Sequence, residues 1–266
     1  MSWVLVTNDD GIDAPGLHAL AASAVAAGLR VVVAAPAGEA SGAGAAVTTS
    51  RSNGQVPITR HELPGLDGVP AYGVAAAPAF IPYAAALGWF PEPPSLVLSG
   101  INPGANLGRA IMHSGTVGAA LTAGRFGVRA LAVSLDYETA WNDAVPHWDT
   151  ATGLVPAVLD LLSDTPEGTV LTLNVPNLPA DRLGPLRVAS LAARGVVQGR
   201  VEEDGAGLRV GMVERTERIE PDSDVALLLA GHPTLTALRS VTEDPDLPLA
   251  ELLAAERWQE RWDIRR

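Results

Sequence analysis

Five apolar or β-branched residues, Trp3-Val4-Leu5-Val6-Thr7, run without a break into Asn8-Asp9-Asp10 and stop at Gly11. A continuous apolar run of this length, closed by a turn signal, reads as a strand buried on both faces, as in parallel sheets. Such a strand is typical of an α/β architecture, in which further short apolar runs alternate with helices. In open α/β sheets ligands bind beyond the carboxyl ends of the strands, where Asp9 and Asp10 are expected. Adjacent carboxylates repel, so either one pKa rises or a cation compensates them. A hard divalent ion on oxygen ligands is the simplest compensation. An ordinary polar strand-to-turn junction, with both acids in water, accounts for this stretch alone equally well.

The pattern repeats down the chain. Pro15 to Ala27 carries Leu17, Leu20, Ala21 and Val25 at helical spacing and stops at Gly28 in the manner of a C′ glycine. Leu29 to Ala35 is a second buried strand, and strand, helix and strand in so short a span imply a right-handed parallel crossover. Residues 47–74 read as an excursion of short irregular strands, and Pro78 to Leu87 as a short helix. Further strands are expected over Ser95 to Ser99, Val128 to Ser134 and Thr169 to Asn174. Helices are expected over Gly115 to Arg125, with Ser114 as N-cap, and over Thr150 to Leu162. Residues 1–180 thus predict a doubly wound, Rossmann-like parallel sheet in a three-layer α/β sandwich. Past Pro179 the rhythm changes. Strands over Leu186 to Leu191, Gly195 to Glu202 and Leu208 to Glu214, with Asp204-Gly205 as a turn, predict a β-hairpin arm within residues 181–266. A return strand and an amphipathic C-terminal helix over Pro248 to Trp262, with Leu249, Leu252, Leu253 and Trp258, complete that segment.

Composition excludes several chemistries. The chain has 266 residues, 47% of them hydrophobic, which suffices for a packed core. Its formal net charge of −12 argues against nucleic acid or an anionic membrane as partner. There is no cysteine, hence no disulfide, thiolate metal site or Cys nucleophile. All 18 basic residues are arginine, so a Schiff base and a P-loop lysine are also excluded. The chain enters a strand at once, without a signal-peptide pattern, and no apolar run is long enough to span a bilayer. A cytoplasmic protein is expected.

Three loops are expected at one sheet edge: Asn8 to Gly11, Glu39 to Gly44, and Ser99 to Gly108. They offer carboxylates, a serine hydroxyl and carboxamides, a set of hard oxygen donors suited to Mg²⁺, Mn²⁺ or Ca²⁺. Singly, Ser41 is a turn former and Asn102 an Asx turn before Pro103; only their convergence makes a site. The segment His113-Ser114-Gly115-Thr116-Val117-Gly118 supplies the N-terminus of a helix, where backbone N–H groups and hydroxyls bind phosphate. A plain capping sequence is the alternative. A metal beside a phosphate site points to metal-assisted hydrolysis of a phosphate ester. His113 and His232 are candidate general acids, although a helix N-terminus favours the neutral imidazole.

Thr7-Asn8-Asp9-Asp10-Gly11, Ser99-Gly100-Ile101-Asn102-Pro103-Gly104-Ala105-Asn106 and Ser114-Gly115-Thr116-Val117, with Ala35-Pro36 and Ser41 between them, resemble the signatures of the SurE (survival protein E) family. The resemblance covers roughly the first two-thirds of the chain. It implies a divalent-metal-dependent 5′/3′-nucleotidase, also active on other phosphomonoesters. By motif position it implies one divalent ion per subunit on Asp9, Asp10, Ser41 and Asn102. Asp9, Asp10 and Asn8 would carry catalysis, while Asn8, Asn106, Ser114, Gly115 and Thr116 would line the phosphate pocket. It further implies homodimers or homotetramers joined through exchanged C-terminal arms. The chain departs from the family where Ala76-Ala77-Pro78-Ala79-Phe80-Ile81 replaces the usual Gly-Thr-Pro-x-Asp-Cys. It departs again at Ala110, usually an aspartate, and in the late block Gly231 to Leu238. These departures bear on substrate range and rate. Two other readings stand beside this one. A phosphatase with an aspartyl-phosphate intermediate lacks both its Asp-x-Asp spacing and a lysine. A metal-retaining binding or scaffold protein is motivated by Phe80 and Ala110.

Overall fold

The computed structural model describes residues 2–137, 145–193, 197–203, 205, 207–214 and 219–254. The chain begins in β1 (Val4–Thr7), crosses through α1 (Pro15–Ala26) to β2 (Val31–Pro36), and makes an excursion through β3 (Ile58–His61) and β4 (Ala71–Val74). It then passes through α2 (Phe80–Ala84), continued by a π-helical turn over Ala85–Trp89, into β5 (Leu96–Pro103). A 3₁₀ turn, Gly108–His113, and α3 (Gly115–Arg125) lead to β6 (Arg129–Asp136), α4 (Trp148–Ser163) and β7 (Val170–Pro176). There follow β8 (Arg187–Val188), β9 (Val197–Glu203), β10 (Leu208–Glu214), α5 (Asp224–Leu229), β11 (Thr234–Leu238) and α6 (Leu249–Ala254).

One nine-stranded sheet runs in the order β3-β4-β2-β1-β5-β6-β7-β11-β8. The six strands from β4 to β7 in that order are parallel, while β3 and β11 pair antiparallel with the strands inside them. All four residues of β1 are buried, as a central strand with a layer on each face requires. Alternation along it feeds two cores. Val4 and Val6 belong with Leu17 and Leu20 of α1 and Val155 and Val158 of α4. Leu5 belongs with Ile81 of α2 and Val117 and Ala120 of α3. The result is a three-layer, Rossmann-like sandwich. From β1 the chain winds outward to β2 and β4, then returns to β5 and winds the other way through β6 and β7. That reversal lies between β1 and β5, and such a switch point opens a crevice at the carboxyl edge of the sheet.

Several boundaries differ from expectation for physical reasons. Strand β5 continues through Gly100–Pro103, expected as loop, because β6 extends far enough to pair Ser134 with Asn102 and Leu135 with Pro103 after a register shift. The strand expected over Leu186 to Leu191 shrinks to the two residues of β8, whose register partners are Thr234 and Leu235 of β11. The irregular stretch 47–74 yields β4, a full member of the parallel sheet, beside β2. Beyond residue 181 the chain returns β8 and β11 to that same sheet. By contrast, β9 and β10 form a separate two-stranded ribbon, Val197 opposite Glu214 and Glu203 opposite Leu208. Of the C-terminal helix, α6 is described; Trp258 and Trp262 lie outside the described residues, as do Asp204 of the expected turn and Gly195. No helix among the described residues is long and apolar enough to cross a membrane.

Candidate metal and phosphate site

At the end of β1 the backbone turns sharply, and Asn8 closes the turn. Its side chain is fully buried, Nδ2 donating to the Gly11 carbonyl at 2.9 Å and Oδ1 accepting from the Gly11 N–H at 3.2 Å. With both polar ends engaged by Gly11, Asn8 shapes the loop that presents Asp9 and Asp10. Asp9 is only 4% exposed and is gripped by the first turn of α3. Oδ1 accepts from the Thr116 hydroxyl, and the backbone N–H groups of Gly115 and Thr116 at the helix start favour the charged carboxylate. Position 115 has to be glycine, because a Cβ there would lie 2.7 Å from Asp9 Cβ and 2.8 Å from Oδ2. Burial raises the Asp9 pKa, and these donors draw it part of the way back.

Asp10 has no such support. Its Oδ2 is buried without a hydrogen-bond partner. Burial first, then the neighbouring charges of Asp9 and Glu39, push its pKa up to about 7. A buried carboxylate oxygen without a donor is costly, and a cation would supply the missing compensation. Asn102 completes the cluster. Its Nδ2 donates to the Gly104 carbonyl at 2.7 Å, which fixes the amide so that Oδ1 lies 3.3 Å from the Thr116 hydroxyl. Thr116 therefore links Asp9 and Asn102. Asp9, Asp10 and Asn102 present hard oxygens, so the donor set and the partnerless Asp10 oxygen fit a divalent cation.

The loop after β2 docks on this cluster through its backbone, Ala40 N–H bonding the Asp9 carbonyl at 2.8 Å and Gly44 N–H the His113 carbonyl at 3.1 Å. Ser41 is exposed on that loop, and its hydroxyl donates to Glu39 Oε1 at 2.9 Å. The structure thus brings Ser41 beside the cluster but turns its hydroxyl to Glu39. Sequence reasoning passed over Glu39, which faces Asp10 electrostatically.

The phosphate side also differs from expectation. Ser114 caps α3, its Oγ accepting from the Val117 N–H at 3.1 Å, which leaves its hydroxyl proton unassigned. The Gly115 and Thr116 N–H groups, expected to face a phosphate, stand beside the Asp9 carboxylate and favour its charged form. The reason is electrostatic: the positive end of the helix dipole meets the nearest buried carboxylate of the protein itself. Asn106 donates from Nδ2 to Ser134 Oγ at 2.8 Å, and Asn174 pins its main chain. The Asn106 N–H donates to Asn174 Oδ1 at 2.8 Å, and Asn174 Nδ2 returns to the Asn106 carbonyl at 3.0 Å. Asn174 escaped the sequence reading; its signal was a buried carboxamide at the end of another parallel strand. Of the candidate general acids, His113 is exposed with its carbonyl held by Gly44, and His232 has Nδ1 3.1 Å from the Pro185 carbonyl.

The three sequence blocks that carry the resemblance therefore meet at the switch point between β1 and β5. The family described as "Survival protein SurE" matches residues 4–198. The chain belongs to the SurE family. The 5′-nucleotidase SurE of Symbiobacterium thermophilum is 44% identical to it over 195 residues, 73% of each chain. The 5′/3′-nucleotidase SurE of Edwardsiella ictaluri is 32% identical over 242 residues, 89% of each chain. A solved SurE structure from Aquifex aeolicus superposes with a TM-score of 0.76 at 26% identity, covering 94% of this chain and 98% of that one. The SurE fold therefore extends past the matched segment into the returning strands. Within it, Asp9, Thr116 and Asn102 are joined through one hydroxyl.

Proposed function

We propose that this SurE-family chain is a divalent-metal-dependent phosphomonoesterase, in the cytoplasm, that hydrolyses nucleoside 5′- and 3′-monophosphates. The observation that carries the reading is the partnerless buried oxygen of Asp10 beside Asp9 and Asn102 at the switch point. The nucleotidase names of the relatives support the substrate class. Asp9, Asp10 and Asn102 would hold Mg²⁺ or Mn²⁺, with Ca²⁺ as an alternative occupant, and Ser41 would supply a further oxygen if its hydroxyl turned from Glu39. The ion, when bound, supplies Lewis-acid charge and lowers the pKa of water. Asn8 keeps the turn closed while Thr116 holds one Asp9 oxygen in place. The donors for phosphate are the Ser114 hydroxyl proton, the second amide hydrogen of Asn106 and the Gly115 and Thr116 N–H groups, with the α3 dipole behind them. The β9–β10 ribbon, marginal in water as an isolated hairpin, packs against a second copy to form homodimers or homotetramers.

The test is hydrolysis of p-nitrophenyl phosphate and of a panel of nucleoside monophosphates with Mn²⁺, before and after chelation. Asp9→Asn in a folded protein should abolish turnover. Metal-stabilised protein that hydrolyses none of these esters would favour the binding-protein reading that Phe80 and Ala110 motivate.

A further inference from the structure

The carboxylate of Asp224 has no part in the chemistry above, yet it is 1% exposed at the first turn of α5. It gathers backbone N–H groups from separate segments of the chain. Oδ2 accepts from Gly108 at 2.7 Å, and Oδ1 accepts from Ala192 at 2.9 Å and from Val225 at 2.8 Å. Gly108 ends the loop that follows β5 and carries Asn106, and opens the turn leading to Ser114. Ala192 stands shortly before β9, at the root of the arm. The two segments also touch directly, Arg109 N–H donating to the Ala192 carbonyl at 3.1 Å.

Burying an anion is costly unless hydrogen bonds satisfy it, so the charge needs a reason. Helix α5 does not supply one, because Ser223 already caps it, Oγ accepting from the Ala226 N–H at 3.2 Å. The Gly108 and Ala192 bonds do. We propose that Asp224 is a positioning residue for the phosphate side of the site, anchoring Gly108, and through it Asn106, to the root of the arm. This rests on the phosphomonoesterase reading above. Asn106 is thereby held from both directions: Asn174 fixes its own peptide groups, and Asp224 fixes the chain that leaves it.

Asp224→Asn tests this. An asparagine keeps one oxygen for the Ala192 and Val225 N–H groups but sets an amide NH₂ against the Gly108 N–H, so the site loop is released while the arm root stays held. In the purified full-length chain, phosphate inhibition of p-nitrophenyl phosphate hydrolysis is measured with saturating Mn²⁺. A misplaced loop should raise KM and the phosphate inhibition constant about tenfold while kcat falls less. Asn106→Ala should raise the same constants, and the double variant should not multiply the two effects, because coupled residues are not additive. Gly108→Ala is the second variant, in case Asp224→Asn fails to fold. At φ +57° an alanine adds backbone strain, and its Cβ would sit 2.9 Å from the Ala192 carbonyl oxygen, so both effects push the loop off its anchor. It should reproduce the KM effect. An unchanged phosphate inhibition constant in a folded, active Asp224→Asn or Gly108→Ala chain, or effects that multiply with Asn106→Ala, overturns the inference. A wild-type chain with no hydrolysis at all overturns instead the functional reading on which it rests.

Discussion

Asp10→Asn should make the metal-free protein more stable at alkaline pH, although it removes a proposed ligand. The folded pKa of Asp10 is about 7 against 3.8 for the free carboxyl. The folded state therefore keeps a proton that the unfolded chain has lost. Stability is undiminished below pH 4, declines as pH rises from about 4 to 7, and stays reduced above that range. Three pKa units at about 1.36 kcal/mol each set an upper bound near 4 kcal/mol. Asp10 is only partly buried, so solvent screening brings the figure to roughly 2 kcal/mol. An asparagine carries no such charge. In chelator, Asp10→Asn should unfold about 2 kcal/mol later than wild type at pH 8, roughly 5 °C in Tm, and at the same point at pH 4. Adding Mn²⁺ should then reverse the order, since the ion stabilises the chain whose carboxylates it binds. Urea titrations at both pH values, with and without the ion, read all four corners. If the metal-free variant is no more stable than wild type at pH 8, Asp10 carries no uncompensated charge and the metal argument loses its main support.

Other outcomes follow from the same geometry. Thr116→Val keeps the volume but removes the hydroxyl between Asp9 and Asn102; the loss of a bond to a charged group should weaken Mn²⁺ binding by about 1.5–3 kcal/mol, read by calorimetric titration. Gly115→Ala drives a Cβ into Asp9 and should cut kcat far more than it lowers Tm; a fully active alanine variant would refute the close packing. Ser114→Ala removes both a helix cap and a phosphate donor, so it should cost roughly 1 kcal/mol of stability and also raise the phosphate inhibition constant. Deleting residues 195–214 should convert the assembly to monomers or insoluble protein in a sizing experiment, whereas a full-length chain that is already monomeric at micromolar concentration counts against the arm as an interface.

Much of the architecture follows from local pattern. Buried parallel strands have apolar runs of their own, and Trp3-Val4-Leu5-Val6-Thr7, Leu29 to Ala35 and Thr169 to Asn174 announce themselves because both faces must be covered. The ends of α1 and α3 were legible for the same local reason: Gly28 and Ser114 are chemical stop and start signals whose partners lie within four residues. The Asp9-Asp10 pair was legible as a place where charge needs compensation. What pattern could not give is the assignment of each donor, since a hydrogen bond across a hundred residues leaves no trace in spacing. The Gly115 and Thr116 N–H groups read as a phosphate cradle, and only the tertiary packing sets the Asp9 carboxylate beside them. Ser41 read as a ligand, and only its loop's conformation turns the hydroxyl to Glu39. Asn174 read as an ordinary strand residue, and Asp224 carried no signal at all, until the fold set them against the backbone of Asn106 and Gly108. The sequence by itself determined the central parallel strands and the chemical types gathered at their carboxyl ends, because burial and turn chemistry are local demands. The tertiary structure decided which oxygen meets which donor, because in a buried site each polar atom is satisfied by whatever the three-dimensional packing brings within about 3 Å.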